Sequence, residues 1–338
     1  MTETLPTFAD VVAARARIGP RIVRTPLVRT AAIDRMLGAR VLFKAEPLQR
    51  TGSFKIRGAF NRLLQIGPDD ARRGVIAWSS GNHAQGIAAA AAELNMPAVI
   101  VMPADAPAIK RAATAALGAE IVSYHRLHED REAISFQIAR QRGLTVVPAY
   151  DDPIIIAGQG TLGLELAEQA AELGIALDEV LVPVSGGGLL AGVGLALAAR
   201  MPAAAVIGVE PAGFDDHRRT FETGAPQRNA TLGPGLCDAL LAPTPGRITW
   251  RLNRAHARGF RAVDDDAVKA AMAMAFEHLK LVVEPGGAVG LAALIAARRE
   301  RGPLAGDRTM AVVLSGGNVD SDVYTACVCD VRNAIKAI

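Results

Sequence analysis

The chain has 338 residues, 50% of them hydrophobic and 4% aromatic, with 37 basic and 34 acidic residues interspersed to a formal charge of +3. That length carries two domains or one with a large insertion, and a core of Ala, Val, Leu and Ile favours helices on a parallel sheet over an aromatic-rich sandwich. Arg21, Arg24, Arg29 and the pair Arg72-Arg73 are scattered, not striped among aromatics, so no nucleic-acid partner is expected.

Three cysteines, Cys237, Cys327 and Cys329, make no disulfide framework, and their spacing is not that of a zinc or redox motif. The N-terminus carries Glu3 and Asp10 and lacks a basic-then-apolar leader. The longest apolar segment, residues 189–199, is too short to span a bilayer. A cytoplasmic protein with no membrane partner is the expectation.

Taken in chain order, a helix-forming run follows Lys55. Residues 75–77 then read as strand, 85–94 as helix, 98–102 as strand, 106–117 as helix and 120–123 as strand. Residues 130–141 are predicted helical and 145–147 extended. The rhythm returns with strand 180–184, helix 189–199, strand 205–209, helices 265–280 and 287–299, and strand 309–314. Strands alternating with helices indicate βαβ units in a parallel sheet. Between the two sets, 148–163 is rich in Asp, Pro and Gly and predicts a crossing between domains. Residues 213–245 have weak periodicity and predict loops over a site.

Several turns carry chemistry. Ser185-Gly186-Gly187-Gly188-Leu189-Leu190 follows a predicted strand and opens a helix, a backbone arrangement that suits a phosphate. The same stretch fits a dinucleotide fingerprint, with Glu210 at the end of the next strand as the ribose-binding acid. That reading makes the protein an oxidoreductase, and this segment alone does not separate the two. Thr51-Gly52-Ser53-Phe54-Lys55 lacks the Gly-Lys-Ser/Thr order of a nucleotide P-loop. A lysine at a helix start is ordinarily a solvated surface residue. Here small residues leave its surroundings open, and Phe54 supplies a flat neighbour. The donor-rich turn Ser79-Ser80-Gly81-Asn82-His83, the turn Glu284-Pro285-Gly286-Gly287 and the turn Ser315-Gly316-Gly317-Asn318 complete the set. Such turns at strand ends of an α/β protein converge on one ligand crevice. A lone amine facing them suits a site that holds a carbonyl cofactor covalently and an amino acid by its carboxylate.

Together with Arg24-Thr25-Pro26-Leu27 and Lys44-Ala45-Glu46-Pro47, these strings closely resemble the pyridoxal-phosphate-dependent serine/threonine dehydratase and serine racemase family, in the family's order and over nearly the whole chain. The resemblance implies an α/β fold of the tryptophan-synthase-β kind (fold type II), with the site in an interdomain cleft. Residues 1–63 and 149–338 would form a large cofactor-binding domain and 64–148 a small one. It implies a homodimer acting on a small-molecule amino acid.

Residue by residue, the resemblance gives Lys55 the covalent link to pyridoxal 5'-phosphate and removal of the Cα proton. Phe54 would pack on the pyridine ring, Asn82 would bond its 3-hydroxyl, and Ser315 would face its nitrogen. Gly186, Gly187, Gly188 and Leu189 would hold the phosphate through backbone N–H, with Ser185 beside them and Glu284 among the cofactor contacts. Ser79, Asn82, His83 and Arg131 would bind substrate, and Ser80 would be the second acid/base a racemase needs. Glu210, Phe214 and Asp216 match the spacing at which some relatives bind Mg2+ or Ca2+; the alternative is a strand end and a turn cap. Arg131 is equally a solvated helix charge. The implied activity is β-elimination from L-threonine or L-serine to 2-oxo acid and ammonia, with serine racemase and β-hydroxyaspartate dehydratase as alternatives.

Overall fold

The computed structural model describes residues 4–79, 81–106, 108–125, 128–230, 235–304 and 307–329. The N-terminal part comprises α1 (Phe8–Ile18), β1 (Leu27–Val28), α2 (Ala31–Leu37), β2 (Arg40–Ala45) and α3 (Lys55–Leu63). Then come α4 (Pro68–Arg73), β3 (Val75–Trp78), α5 (Asn82–Glu93), β4 (Ala98–Pro103), α6 (Ala108–Ala116), β5 (Glu120–Tyr124), α7 (Arg131–Arg142) and β6 (Thr145–Val146). The remainder is α8 (Pro153–Glu172), β7 (Glu179–Pro183), α9 (Gly188–Arg200), β8 (Ala205–Pro211), α10 (Asp216–Thr223), α11 (Arg247–His256), β9 (Gly259–Val263), α12 (Asp265–Met274), α13 (Pro285–Arg301), β10 (Thr309–Leu314) and α14 (Ser321–Cys329).

The strands form two sheets. One has six strands in the order β1-β2-β10-β7-β8-β9, parallel except for β1, and the other has four in the order β5-β4-β3-β6, all parallel. β10 is inserted between β2 and β7, with Val312 opposite both Phe43 and Leu181. All six of its residues are buried, as a central strand covered on both faces requires. One face packs under α12 and α13 (Met272, Val289, Leu294), the other under α8 and α9 (Leu162, Leu166, Val193). In the smaller sheet, Ile87 and Ala91 of α5 cover Val75, Ala77 and Ile100, while Ile134, Ile138 and Ala139 of α7 cover Ile76 and Val99.

α3 joins the two cores. Its Ile56 and Phe60 belong to the cluster under the smaller sheet, while it crosses α8 at a pair of glycines. A Cβ on Gly158 would lie 2.7 Å from the Gly58 Cα, so only glycine permits that approach. The backbone N–H of Gly58 then donates to Gln159 Oε1 at 3.3 Å.

The structure corrects the element predictions in three places. Most of 148–163, read as a crossing, belongs to the helix α8. Asp152 caps it by accepting from the N–H groups of Ile154 and Ile155, and Pro153 occupies the first turn, where its missing N–H costs nothing. The loops expected over 213–245 contain α10. The helix expected over 265–280 ends at Met274 and continues as a π-turn, Ala275–Leu279, closed by Lys280 at φ 60°. Among the described residues no helix is long and apolar enough to cross a membrane.

Candidate active site

Lys55 opens α3 directly after a turn stitched to the end of β10. Phe54 N–H donates to the Ser315 carbonyl at 3.1 Å, and Ser53 bridges to Gly316. The lysine is partly exposed, yet its amine is enclosed. Nζ donates to the Ala149 carbonyl at 2.8 Å and lies 5.2 Å from the Phe54 ring centroid. Burial lowers its pKa to about 8, with the Glu284 charge pulling the other way. The buried Ser315 is thus tied by its backbone to the residue before the lysine.

Beneath α3 lies a set of charges with no exposure. Arg57 donates to both oxygens of Glu46, each at 2.8 Å, and to the two oxygens of Glu165 at 3.0 and 2.9 Å. Lys44 Nζ donates to Glu165 and Gln169, both at 2.9 Å, and to the Thr25 carbonyl at 2.8 Å. The Arg57, Lys44, Glu46 and Glu165 side chains are fully buried, so β2, α3 and α8 are clamped together two residues from Lys55.

The second turn closes over the lysine from α5. Asn82 Nδ2 donates to Glu284 Oε1 at 2.6 Å, and its Oδ1 accepts from Asn318 Nδ2 at 2.7 Å. Burial, with Asp238 adding to it, pushes the Glu284 carboxyl up to about 8. Asp238 itself pairs with Lys110 at 2.6 Å. His83 lies 3.2 Å from the Val147 carbonyl, and burial together with the Lys55 charge drops its pKa to about 3. Ser79 Oγ accepts from the Gly81 N–H at 3.2 Å. Ser80 lies outside the described residues. Arg131 is the exposed first residue of α7, and its charge is felt by Tyr150.

The glycine loop runs from the end of β7 into α9. Gly187 precedes the helix at φ +92°, a backbone that disfavours any residue with a side chain. The Tyr150 ring covers Gly186. Thr249 Oγ1 donates to the Gly186 carbonyl at 2.6 Å, and Asn253 Nδ2 to the Gly187 carbonyl at 3.3 Å. Ser185 Oγ is engaged as well, accepting from the Ala242 N–H at 3.1 Å. Gly188 and Leu189, both buried, start α9, so their N–H groups are among those a helix leaves unpaired and an anion satisfies.

The carboxylates singled out for a metal do come together. Glu210 ends β8 and accepts from the N–H groups of His217 at 3.0 Å and Arg218 at 2.8 Å, capping α10. Asp216 Oδ1 accepts from Asn229 at 2.6 Å, while its Oδ2 is buried without a partner. Burial and the neighbouring Asp216 push Glu210 well up, and burial pushes Asp216 to about 6. Phe214 is buried beside them. Among the described residues no three His, Cys, Asp or Glu side chains are grouped to hold a metal ion.

A family model described as "Pyridoxal-phosphate dependent enzyme" matches residues 18–316. The chain belongs to that family. The chain is 42% identical to the L-threo-3-hydroxyaspartate ammonia-lyase of a Pseudomonas species, over 95% of this chain and 98% of that protein. The T.th. threonine deaminase superposes with a TM-score of 0.87 at 41% identity, covering 93% of this chain and 99% of the other. Maize serine racemase gives 0.88 at 34%, covering 97% and 98%. The expected fold, a type II pyridoxal-phosphate architecture with parallel sheets, is therefore correct. So is the expected cofactor, and the dinucleotide reading of the glycine loop is set aside. The residues present suit that cofactor: an enclosed amine of lowered pKa at one end, and at the other a glycine turn at a helix N-terminus.

Sequence reasoning missed Asn318 as the partner of Asn82, and Tyr150, Thr249, Asn253 and His217 around the glycine loop. Asn318 sat within a recognised turn. The other four come from α10, α11 and the segment after β6, and no local pattern marks them.

Proposed function

We propose that this enzyme removes water and then ammonia from a small β-hydroxy amino acid, with L-threonine and L-serine as substrates. The observation that carries the reading is Ser315, a buried neutral hydroxyl at the end of β10, backbone-bonded to the turn that presents Lys55. Bound, pyridoxal phosphate supplies an electron sink for the pair left when the Cα proton departs. Facing the pyridine nitrogen, the Ser315 hydroxyl would not hold it protonated as a carboxylate would, so the sink it tunes would be the weaker kind that suits loss of a β-hydroxyl. Elimination is favoured over transamination.

In this reading Lys55 carries the cofactor and, once displaced, takes the Cα proton at Nζ; a pKa near 8 suits an amine that must both accept and return a proton near neutrality. Burial pushes the Glu284 carboxyl up to about 8, so it titrates over the same range as the lysine it faces, and its charge holds the amine pKa up. Phe54 would pack on the ring and Asn82 would bond its 3-hydroxyl, with Asn318, which donates to Asn82 Oδ1, orienting the amide. Gly186, Gly187, Gly188 and Leu189, beside Ser185, hold the phosphate. Ser79, Asn82, His83 and Arg131 receive the substrate carboxylate. In net terms the Cα–H and Cβ–O bonds break, water departs, and hydrolysis yields 2-oxo acid and ammonia.

The reading extends to two domains, 1–63 with 149–338 and 64–148, supported by the separate sheets. It extends to a homodimer, for which exposed Leu48, Phe276, Val282 and Val323 offer apolar surface, and to a cytoplasmic site, in keeping with Cys237, Cys327 and Cys329 forming no disulfide. A Mg2+ or Ca2+ ion between Glu210 and Asp216, with the Phe214 carbonyl, is supported by the unpartnered Asp216 oxygen and the raised carboxyl pKa values. The second reading of substrate is 3-hydroxyaspartate, favoured by the 42%-identical relative of that name. Purified enzyme incubated with L-serine, L-threonine and L-threo-3-hydroxyaspartate, with 2-oxo acid and D-isomer assayed separately, tests the proposal. Ammonia and 2-oxo acid are expected; D-isomer without 2-oxo acid would sink the lyase reading.

A further inference from the structure

Buried polar atoms without partners gather at one place. Asp216 Oδ2, Asn253 Oδ1 and both ring nitrogens of His217 lack a hydrogen bond, and Asn253 and His217 border the glycine loop. His217 has no exposure; its ring stacks on Phe260 with centroids 5.7 Å apart and planes at 19°, and lies 6.3 Å from Trp250. A Cβ on Gly187 would sit 2.7 Å from His217 Cε1 and 2.9 Å from Nε2, so the imidazole presses directly on the loop. A neutral imidazole has one donor and one acceptor, and groups this deeply buried normally have partners. Here both stand empty. Burial lowers the ring's pKa to about 3, and the carbonyls of Ser185 and Gly186 face it as acceptors that oppose this, though neither meets full hydrogen-bond geometry. Gly186 already accepts from Thr249, which leaves the Ser185 carbonyl as the freer acceptor.

We propose that His217 is a positioning residue for the phosphate-binding loop, its ring N–H closing on the Ser185 carbonyl when the loop's amides hold an anion. The inference rests on reading that loop as the phosphate cradle. The Ser185 carbonyl belongs to the same trans peptide unit as the Gly186 N–H, and the two point in opposite directions. An anion drawing on that N–H polarises the peptide and makes its carbonyl a better acceptor. The histidine therefore gains a bond in the loaded protein that it lacks in the empty one. Phosphate affinity and the imidazole are coupled through one peptide plane.

The experiment titrates apoprotein with pyridoxal phosphate and, separately, with pyridoxal, which has the aldehyde without the phosphate, following absorbance of the Lys55-linked chromophore. His217→Phe keeps the ring and removes the donor; it should weaken pyridoxal phosphate binding by about tenfold, the scale of one lost hydrogen bond, and leave pyridoxal within about twofold. His217→Gln, which retains an N–H, should recover most of the loss. Equal weakening of both aldehydes would mark a general packing defect and overturn the assignment, as would unchanged phosphate-aldehyde affinity. Wild-type protein binding neither aldehyde would remove the cradle reading first and the inference with it. Should the variants not fold, wild-type protein with 15N-labelled histidine decides: the His217 ring resonances must shift when pyridoxal phosphate is added, and no shift would overturn the proposal.

Discussion

The two ends of the active site are built on opposite terms. Under Lys55, two carboxylates and two cations are wholly buried, and every one is paired. Around the glycine loop, His217 and Asn253 are just as deeply buried and keep unpaired atoms. Desolvated charges hold only when their geometry is complete, so the end that carries Lys55 is held rigid before any ligand arrives. Unpaired neutral groups cost less and relax more easily, and they leave the phosphate end to be completed by its ligand. The contrast suits the chemistry. Under the proposed function the amine must stand at one point to transfer a proton, whereas the phosphate is only a handle.

The largest expected effect comes from breaking the complete end. Arg57→Met leaves Glu46 and Glu165 buried with Lys44 as their one fully buried cation and should cost about 3–5 kcal/mol of folding stability. Denaturant unfolding of the apoprotein measures it. Arg57→Lys should rescue little, because an ammonium cannot reproduce the fork that reaches four carboxylate oxygens. A loss below about 1 kcal/mol, the scale of an exposed pair, would mean that this end is no more rigid than the surface.

How much of this was legible in the sequence follows the same division. Strings whose chemistry is local could be marked where they stand (the glycine loop, the lysine after Gly-Ser-Phe, and Asn82 after a strand), although their roles came from the family that they resemble together. The paired charges could not. The sequence predicts no strand over Arg40–Ala45, and Lys44 finds Glu165 and Gln169 only across more than a hundred residues of chain. α8, which supplies both, was obscured because Asp152-Pro153 reads as a loop signal when it is in fact a cap followed by a first-turn proline. Gly158 in that helix is a contact surface for α3, not a breaker. His217 sits one residue from a carboxylate chosen for its metal spacing, and only the tertiary approach of α10 to the loop gives it a second meaning.

A smaller effect sharpens the comparison at the other end. Gly187→Ala places a side chain at φ +92° and 2.6 Å from Asn253 Nδ2, a strain of about 1–3 kcal/mol. If the empty loop is free to relax, that strain appears as weaker cofactor binding, and the apoprotein's unfolding midpoint moves little. Titration of pyridoxal phosphate alongside thermal unfolding of the apoprotein separates the two. A full loss in apoprotein stability with unchanged affinity would show the loop to be as fixed as the lysine end.

The smallest effect concerns the proton at Lys55. Only the neutral amine attacks an aldehyde, and burial places its pKa at about 8. The rate at which apoprotein captures pyridoxal phosphate should therefore rise by about tenfold from about pH 7 to about pH 9 and then level off. An exposed lysine would keep rising to about pH 10 or beyond. Glu284 is the charge that holds the lysine pKa up against burial, so Glu284→Gln, which keeps an oxygen for Asn82, should shift the profile to lower pH. No shift would mean that the carboxyl is already neutral throughout the range and that burial alone sets the amine, and a shift upward would contradict the charge assigned to Glu284. Stopped-flow capture rates across that range, in wild type and variant, distinguish these outcomes, and they test whether the rigid end also fixes the proton it handles.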